Sequence, residues 1–400
     1  MDIQIFADKA YQRYTNNKIN NIKISNKQLK TDVVAGGIIA VNQSTHAYGV
    51  FDENKKFVKS SLQYKGKTHQ FIPKYPQEMD VIDNDAMFLG YVIGHFGHFL
   101  LEQLSRAWGA LEHRTPGMKF VFVNNRNIDI PHWLYKFMEM LGISKNDVVI
   151  LNSSCKFRRV FVPEQAFKLS NTVWFAPEFR LAFRTMADNV KSKYNYDKVY
   201  VSRSMLPKDM KTYGEEKIQN IFADNGFKII YPETMDLMEQ IAIIKNARVL
   251  AGCAGTALHL ALFMKNADSV IQIKRNSILK DSAYVQYAIN QLVGAKSVFV
   301  SASVEIYKSG HGGNHAPQII GITKYMHKLF LYMNFKYQSD GCIVDDKDWD
   351  AYKQELQLFQ QNNGSCLRQK IKNKFIKYLS CFVPGRINRD RFRRWLKNHL

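Results

Sequence analysis

The chain has 400 residues, 46% of them hydrophobic and 13% aromatic, and carries a formal charge of +21 from 56 basic and 35 acidic residues. That length fits two domains of roughly 100–200 residues each, and the apolar content excludes a chain disordered throughout. The size of the charge points to an anionic partner: a membrane surface, a nucleic acid or a phosphorylated substrate.

No run approaches the ~18 uninterrupted apolar residues of a membrane span. The opening MDIQIFADKAYQRY lacks the charged start and apolar centre of a secretory signal. Five scattered cysteines without a C-x-x-C pair argue against a disulfide framework, so a cytoplasmic setting is expected.

Residues 1–85 read as short strands broken by Gly and Asn, among them 32–34, 36–41 and 48–51; their pairing is not assigned. Ala86 to Ala110 changes character, with an apolar segment interrupted by glycines and then a helix from about Gly97. Strands are predicted at 119–123, 148–151 and 159–162, and a helix over 131–141. Apolar strands alternating with helices argue for a parallel sheet covered on both faces. The stretch 176–194 predicts a basic amphipathic helix linking to a second series. That series has strands at 198–202, 227–231, 247–251, 269–273 and 297–301, with helices at 214–225, 235–245, 256–264 and 277–292. The polar stretch 309–320, with His311 and His315 and no acid nearby, reads as a loop rather than a metal site. Segments 329–337 and 349–359 close the fold. The expectation is α/β: two Rossmann-like domains, 1–190 and 191–335, facing a cleft, then a closing segment 336–366 and a basic tail 367–400.

The stretch Gly226–Met264 is strand, helix, strand, glycine turn, helix. Small residues at Gly252–Thr256, between a buried strand and a helix start, let backbone N–H groups approach a phosphate. Any tight strand-to-helix turn also uses glycine, so this motif alone does not assign a ligand. His98 and Glu102 are four apart and share a helix face, with Arg106 one turn on and His95 just ahead. A carboxylate and a histidine at a helix start suit general-base work on a hydroxyl; a Glu102–Arg106 surface pair is the plainer alternative. The apolar neighbours Phe96, Phe99, Leu100, Leu101 and Leu104 bury the helix, and buried charge needs a reason. Arg203 follows the strand 199–202, where it can grip a diphosphate through two parallel hydrogen bonds. Lys208 and Lys211 follow in the next loop. Glu233 is placed to accept from ribose hydroxyls or to cap a helix.

The segments GHFGHFLLEQLSRAW, VYVSR and YPETMDLMEQIAIIKNARVLAGCAGTALHLALF, in this order, resemble glycosyltransferase family 61. The resemblance runs from about Phe88 to Ile273. It implies a two-domain, GT-B type, metal-independent, inverting enzyme that uses a nucleotide sugar, often in capsule or surface-polysaccharide synthesis. Carried over, Glu102 is the base and His98 its companion, with His95 and Arg106 on the acceptor side. Arg203, Lys208, Lys211, Glu233, Glu239, Gly252, Gly255, Thr256, Ala257 and His259 fall on the donor side. Two departures stand out: Ala254 occupies the place of a family histidine, and no second arginine follows Ser202-Arg203. A non-catalytic nucleotide- or glycan-binding protein on the same fold is the alternative those departures leave open. No metal or other cofactor is expected.

The tail from Leu367 holds 11 Lys/Arg and one acid. Lys372, Lys374, Phe375, Arg393, Arg394 and Trp395 belong to two basic amphipathic helical stretches of the kind that lie in anionic membrane interfaces. Partners expected are therefore a nucleotide-sugar donor, a glycan or lipid-linked glycan acceptor and the inner face of the plasma membrane. Nucleic acid is the disfavoured rival, because phosphate binding does not need the regular apolar face.

Overall fold

The computed structural model describes residues 3–25, 27–65, 68–69, 71–169, 173–208, 210–279, 281, 283–305 and 317–361. His311 and His315 lie outside the described residues, as do all six tail residues expected at a membrane.

Six parallel strands form one sheet, in the order Ile3–Phe6, Lys296–Ser301, Ser269–Lys274, Val249–Cys253, Lys198–Val201, Lys228–Ile230. Counted from 198–201, the last five run 2-1-3-4-5 across the sheet, a doubly wound order whose direction reverses between 198–201 and 249–253. Alternation along each strand feeds two cores. Val199, Val201, Leu250 and Val270 face one, while Tyr200, Ala251, Ile271 and Ile273 face the other. Helix Glu215–Asp224 covers the second face with Ile218 and Phe222; Leu237–Ile244 and Ala283–Val293 cover the first.

The other large sheet has eight strands. Val148–Leu151, Lys119–Val123, Asp80–Tyr91 and Cys155–Pro163 are parallel neighbours in that order. Ile38–Asn42, Ala47–Phe51, Phe57–Val58 and Thr31–Ala35 extend it antiparallel. The parallel part reads 3-2-1-4, and its reversal falls between 80–91 and 155–163. Both reversals leave a crevice at the carboxyl ends of the strands, where ligands of open α/β sheets bind.

A single core joins the layers between these sheets. Phe99 stacks on Phe137 at 5.3 Å, Phe137 on Phe263 at 6.1 Å, and Phe183 meets Phe263 edge-on at 5.1 Å. These rings, all 0–1% exposed, bind the segment after Tyr91, helices His132–Met140 and Pro177–Asn189, and the 3-10 helix Thr256–Phe263. Buried aromatic pairs add ~0.5–1.5 kcal/mol each beyond their area.

Several elements differ from the sequence expectation. The apolar run at Ala86 is the second half of the strand Asp80–Tyr91, buried on both faces through Met87 and Leu89 on one side and Ala86 and Phe88 on the other. The helix expected from Gly97 begins at Phe96 and is irregular: α over Phe96–His98, π over Phe99–Gln103, 3-10 over Leu104–Arg106. The strand expected at 247–251 lies at 249–253, and the helix expected from Ser277 starts at Ala283. Near the chain start, Asp8 caps an unforeseen helix, Lys9–Ile19, by accepting from the Tyr11 N–H at 2.9 Å. The strand before it, Ile3–Phe6, pairs with 296–301 rather than with its sequence neighbours. Residues 346–361 are helical. Among the described residues no helix is long and apolar enough to cross a membrane.

Candidate functional site

The strand Asp80–Tyr91 delivers the chain to Gly94, His95 and the irregular helix. There the His98 Nδ1 and Glu102 Oε1 are 2.7 Å apart. The ring is 42% exposed and the carboxylate only 1%, so the histidine covers the acid. With Nδ1–H donating to Glu102, the outward Nε2 keeps its lone pair. The π turn frees the Glu102 carbonyl to accept from Gln63 Nε2 at 2.9 Å and Ser105 Oγ at 2.6 Å, which fixes the backbone beneath the pair. His95 is exposed, its ring edge-on to His98 at 5.0 Å. Phe96 anchors the turn against Trp133 at 5.6 Å.

Arg106 does not join them. Its side chain has no exposed surface; Nη1 donates to the Pro163 carbonyl and Nη2 to that of Leu62 at 2.9 Å, with Phe88 stacked below. The acceptor-side expectation for this residue assumed regular helical spacing, and the π and 3-10 turns rotate it into the core instead. Burial pulls its pKa down to about 10.

At the other sheet's reversal, Gly252 is required by close packing of neighbouring strands: a Cβ there would stand 2.6 Å from the Val201 carbonyl oxygen. Gly255 lies under Arg203, whose Nη1 would be 3.1 Å from a Cβ at that position. Arg203 Nη2 donates to Met210 O at 3.4 Å, and its buried Nε has no partner. Under the arginine sits Glu215, 0% exposed, whose Oε1 accepts from the Arg203 N–H and the Tyr200 hydroxyl, each at 3.2 Å. Burial pushes Glu215 up to about 7, against the hydrogen bond and charge of Arg203. Its helix starts from Gly214 at φ 79°, a left-handed conformation suited to glycine.

Sequence reasoning missed a second arginine. Arg275 follows the strand 269–274 and donates from Nε to the Ala254 carbonyl at 2.7 Å. Burial, and next the charge of Arg203, pull its pKa down to about 10. The signal was present as an arginine directly after a strand; what placed it was the pairing of Cys253 with Ile273.

The turn that carries His98 packs against the 256–263 helix. A Cβ on Gly97 would overlap Thr256 Cγ2, lie 3.1 Å from Thr256 Cβ and 3.6 Å from His259 Cδ2. His259 is half-buried, and its Nδ1 is 2.8 Å from Gln286 Oε1. Gln286 Nε2 donates to Leu258 O and Asn290 Oδ1, so Oε1 is the acceptor and His259 carries its proton on Nδ1. Burial lowers the His259 pKa to about 4, opposed by the Gln286 bond and aided by His98 and His95. The ring is therefore neutral near pH 7, with a lone pair on Nε2. Ala257, half-buried, follows in the same turn.

The remaining candidates make other contacts, although Lys208 and Lys211 share a loop with Arg203, whose Nη2 reaches Met210 O. Lys211 pairs with Glu216 at 3.2 Å, and Lys208 is exposed. Glu233 is exposed in the turn Pro232–Thr234, and Glu239 accepts from the Tyr194 hydroxyl at 2.7 Å. Asp85, in the nearest match to an Asp-x-Asp motif, is 1% exposed and clamped by Arg158, Arg159 and Thr115. The Arg159 hydrogen bond holds it well below the usual carboxylate range. Among the described residues no group of three or more His, Cys, Asp or Glu side chains is placed to hold a metal ion.

No curated protein matches the chain. Residues 96–271 match the family Glycosyltransferase 61, a span that opens at the turn carrying His98 and contains Glu102, Arg203, Glu215 and His259. Over this segment the chain is similar to glycosyltransferase family 61, a match that implies glycosyltransferase activity.

Proposed function

We propose that the chain is an inverting glycosyltransferase that moves a sugar from a nucleotide-sugar donor to a hydroxyl of a growing surface glycan of capsule or lipopolysaccharide type. The observation that carries this reading is the Gly97–Thr256 contact, which sets the His98–Glu102 pair against the phosphate-type turn. Two Rossmann-like units then face each other in the GT-B manner, breaking near residue 190, with the strand Ile3–Phe6 lent to the second. The closing segment 336–366 and the tail 367–400 follow.

The step is a single displacement. The acceptor hydroxyl gives its proton to His98 Nε2, its oxygen bonds to the anomeric carbon, and the carbon–oxygen bond to phosphate breaks. The electron pair leaves with the nucleoside diphosphate. Relative to the sequence expectation, the roles of Glu102 and His98 are exchanged: a carboxylate that is 1% exposed behind a ring that is 42% exposed orients and balances the imidazolium instead of meeting the hydroxyl. Arginine charge and the first N–H groups of the 256–263 helix stabilise the departing diphosphate, without a metal. Neutral His259 offers Nε2 as an acceptor beside them.

His98→Ala and Glu102→Gln should each lower transfer by about 10²–10⁴-fold, while nucleotide affinity measured by calorimetry stays near wild type. Undiminished transfer by His98→Ala would refute the assignment of the base.

The basic amphipathic tail supports a peripheral site on the inner face of the plasma membrane, where a lipid-linked acceptor is presented. Liposomes containing anionic lipid should carry the full chain to the top of a flotation gradient and leave a 1–366 truncation behind. Equal flotation of the two rules the tail out as the anchor.

A further inference from the structure

We infer that Arg275 is the second guanidinium of a two-arginine clamp on the donor's diphosphate, standing opposite Arg203 across the turn Cys253–Gly255. This deepens the reading above and rests on it.

The geometry comes from two neighbouring strands. Val249–Cys253 and Ser269–Lys274 run parallel in register, with Cys253 beside Ile273. The residues that follow each strand therefore emerge side by side at the carboxyl edge. Arg275 Nε is tied to Ala254 O at 2.7 Å, while the Arg203 guanidinium rests over Gly255, the next residue. Two cations are thus fixed on consecutive residues of one turn, at the reversal of the sheet. Among the described residues neither forms an ion pair; the carboxylate beneath, Glu215, bonds the Arg203 backbone N–H and Tyr200 instead. Like charges held together are costly; Glu215 and Glu305 offset part of that cost, and a dianion or trianion offsets more of it. A diphosphate has the charge and the oxygens to take parallel N–H bonds from two forks.

Arg275 is held stiffly. On one side Lys274, 5% exposed, donates from Nζ to Asn276 Oδ1 at 2.9 Å and Ile278 O at 2.6 Å. It also faces Asp281 at 3.4 Å and the Tyr11 ring at 4.8 Å, and Tyr11 in turn donates to Asp281 at 2.7 Å. On the other side Glu305 accepts from Ser277 N at 2.9 Å. The helix Lys9–Ile19 thereby braces the loop that carries the arginine. A preorganised fork spends little entropy on binding.

Inorganic pyrophosphate is the probe, titrated calorimetrically into the full chain. Arg275→Gln is the main variant, because glutamine Nε2 falls where arginine Nε was and keeps the bond to Ala254 O while removing both Nη groups. Its melting temperature should stay near wild type and its pyrophosphate affinity should fall about tenfold or more. Arg275→Lys, a charge without a fork, should fall between the two. Wild-type affinity in both variants overturns the inference, as does a wild-type chain that ignores millimolar pyrophosphate. Arg203→Ala separates the two claims. If it weakens binding and Arg275→Gln does not, the donor site stands and the clamp falls; if neither variant weakens it, both fall.

Discussion

Glu215 lies without exposed surface among Arg203 on the following loop, Tyr200 and Cys253 on the flanking strands, and the more distant charge of Arg275. Its pKa of about 7 exceeds the 4.5 of an ordinary glutamate because burial disfavours the anion. A carboxyl whose folded pKa is raised holds its proton more tightly in the native state. Its contribution to stability is thus complete below about 4.5 and is lost as pH rises through about 7. The melting temperature should fall by a few degrees between pH 5 and pH 8, and Glu215→Gln should flatten that slope; parallel slopes for the two proteins in scanning calorimetry would contradict it. At this scale the sequence was partly legible. His98 and Glu102 show as a pair by their spacing, but which of them meets solvent depends on packing around Phe99 and Leu101. Arg275 showed only as an arginine directly after a strand, because its place beside Arg203 depends on strand register and not on neighbours in sequence.

The element that decides most of the site is the irregular segment Phe96–Arg106. Regular winding would have kept Arg106 within reach of Glu102; the π turn instead sends it under Pro163 and opens the Glu102 carbonyl to Gln63 and Ser105. Nothing in the side-chain pattern announces a π turn, since its cause is tertiary: Phe99 must stack on Phe137 while His98 faces outward. The start of this segment also packs tightly against the 256–263 helix. Gly97→Ala would drive a methyl into Thr256 and should cost ~1–3 kcal/mol of stability, as overpacked cores do. Because Thr256 begins the helix behind the arginine-covered turn, kcat/KM should fall as well. Adding Thr256→Ser, which removes Cγ2, should restore most of both losses; denaturant melts and initial rates of the single and double variants test this, and no recovery would mean the glycine serves another purpose.

For the whole molecule, alternation of apolar strands with helices was enough to read an α/β protein and nearly every strand of the six-stranded sheet between Lys198 and Ser301. The order of those strands was not written in any local pattern, and neither was the aromatic core shared by Phe99, Phe137, Phe183 and Phe263. The same holds for Ile3–Phe6, whose partner, Lys296–Ser301, lies far along the chain from it. That pairing sets a timetable for biogenesis. At ~5–20 residues per second of synthesis, the strand Ile3–Phe6 waits tens of seconds for its neighbour to be made. Until then the edges of Ile3–Phe6 itself are open to association with other chains. Ile3–Phe6 is therefore the last of the six strands to join its sheet, and the brace on the Arg275 loop forms only after Asp281 has been made.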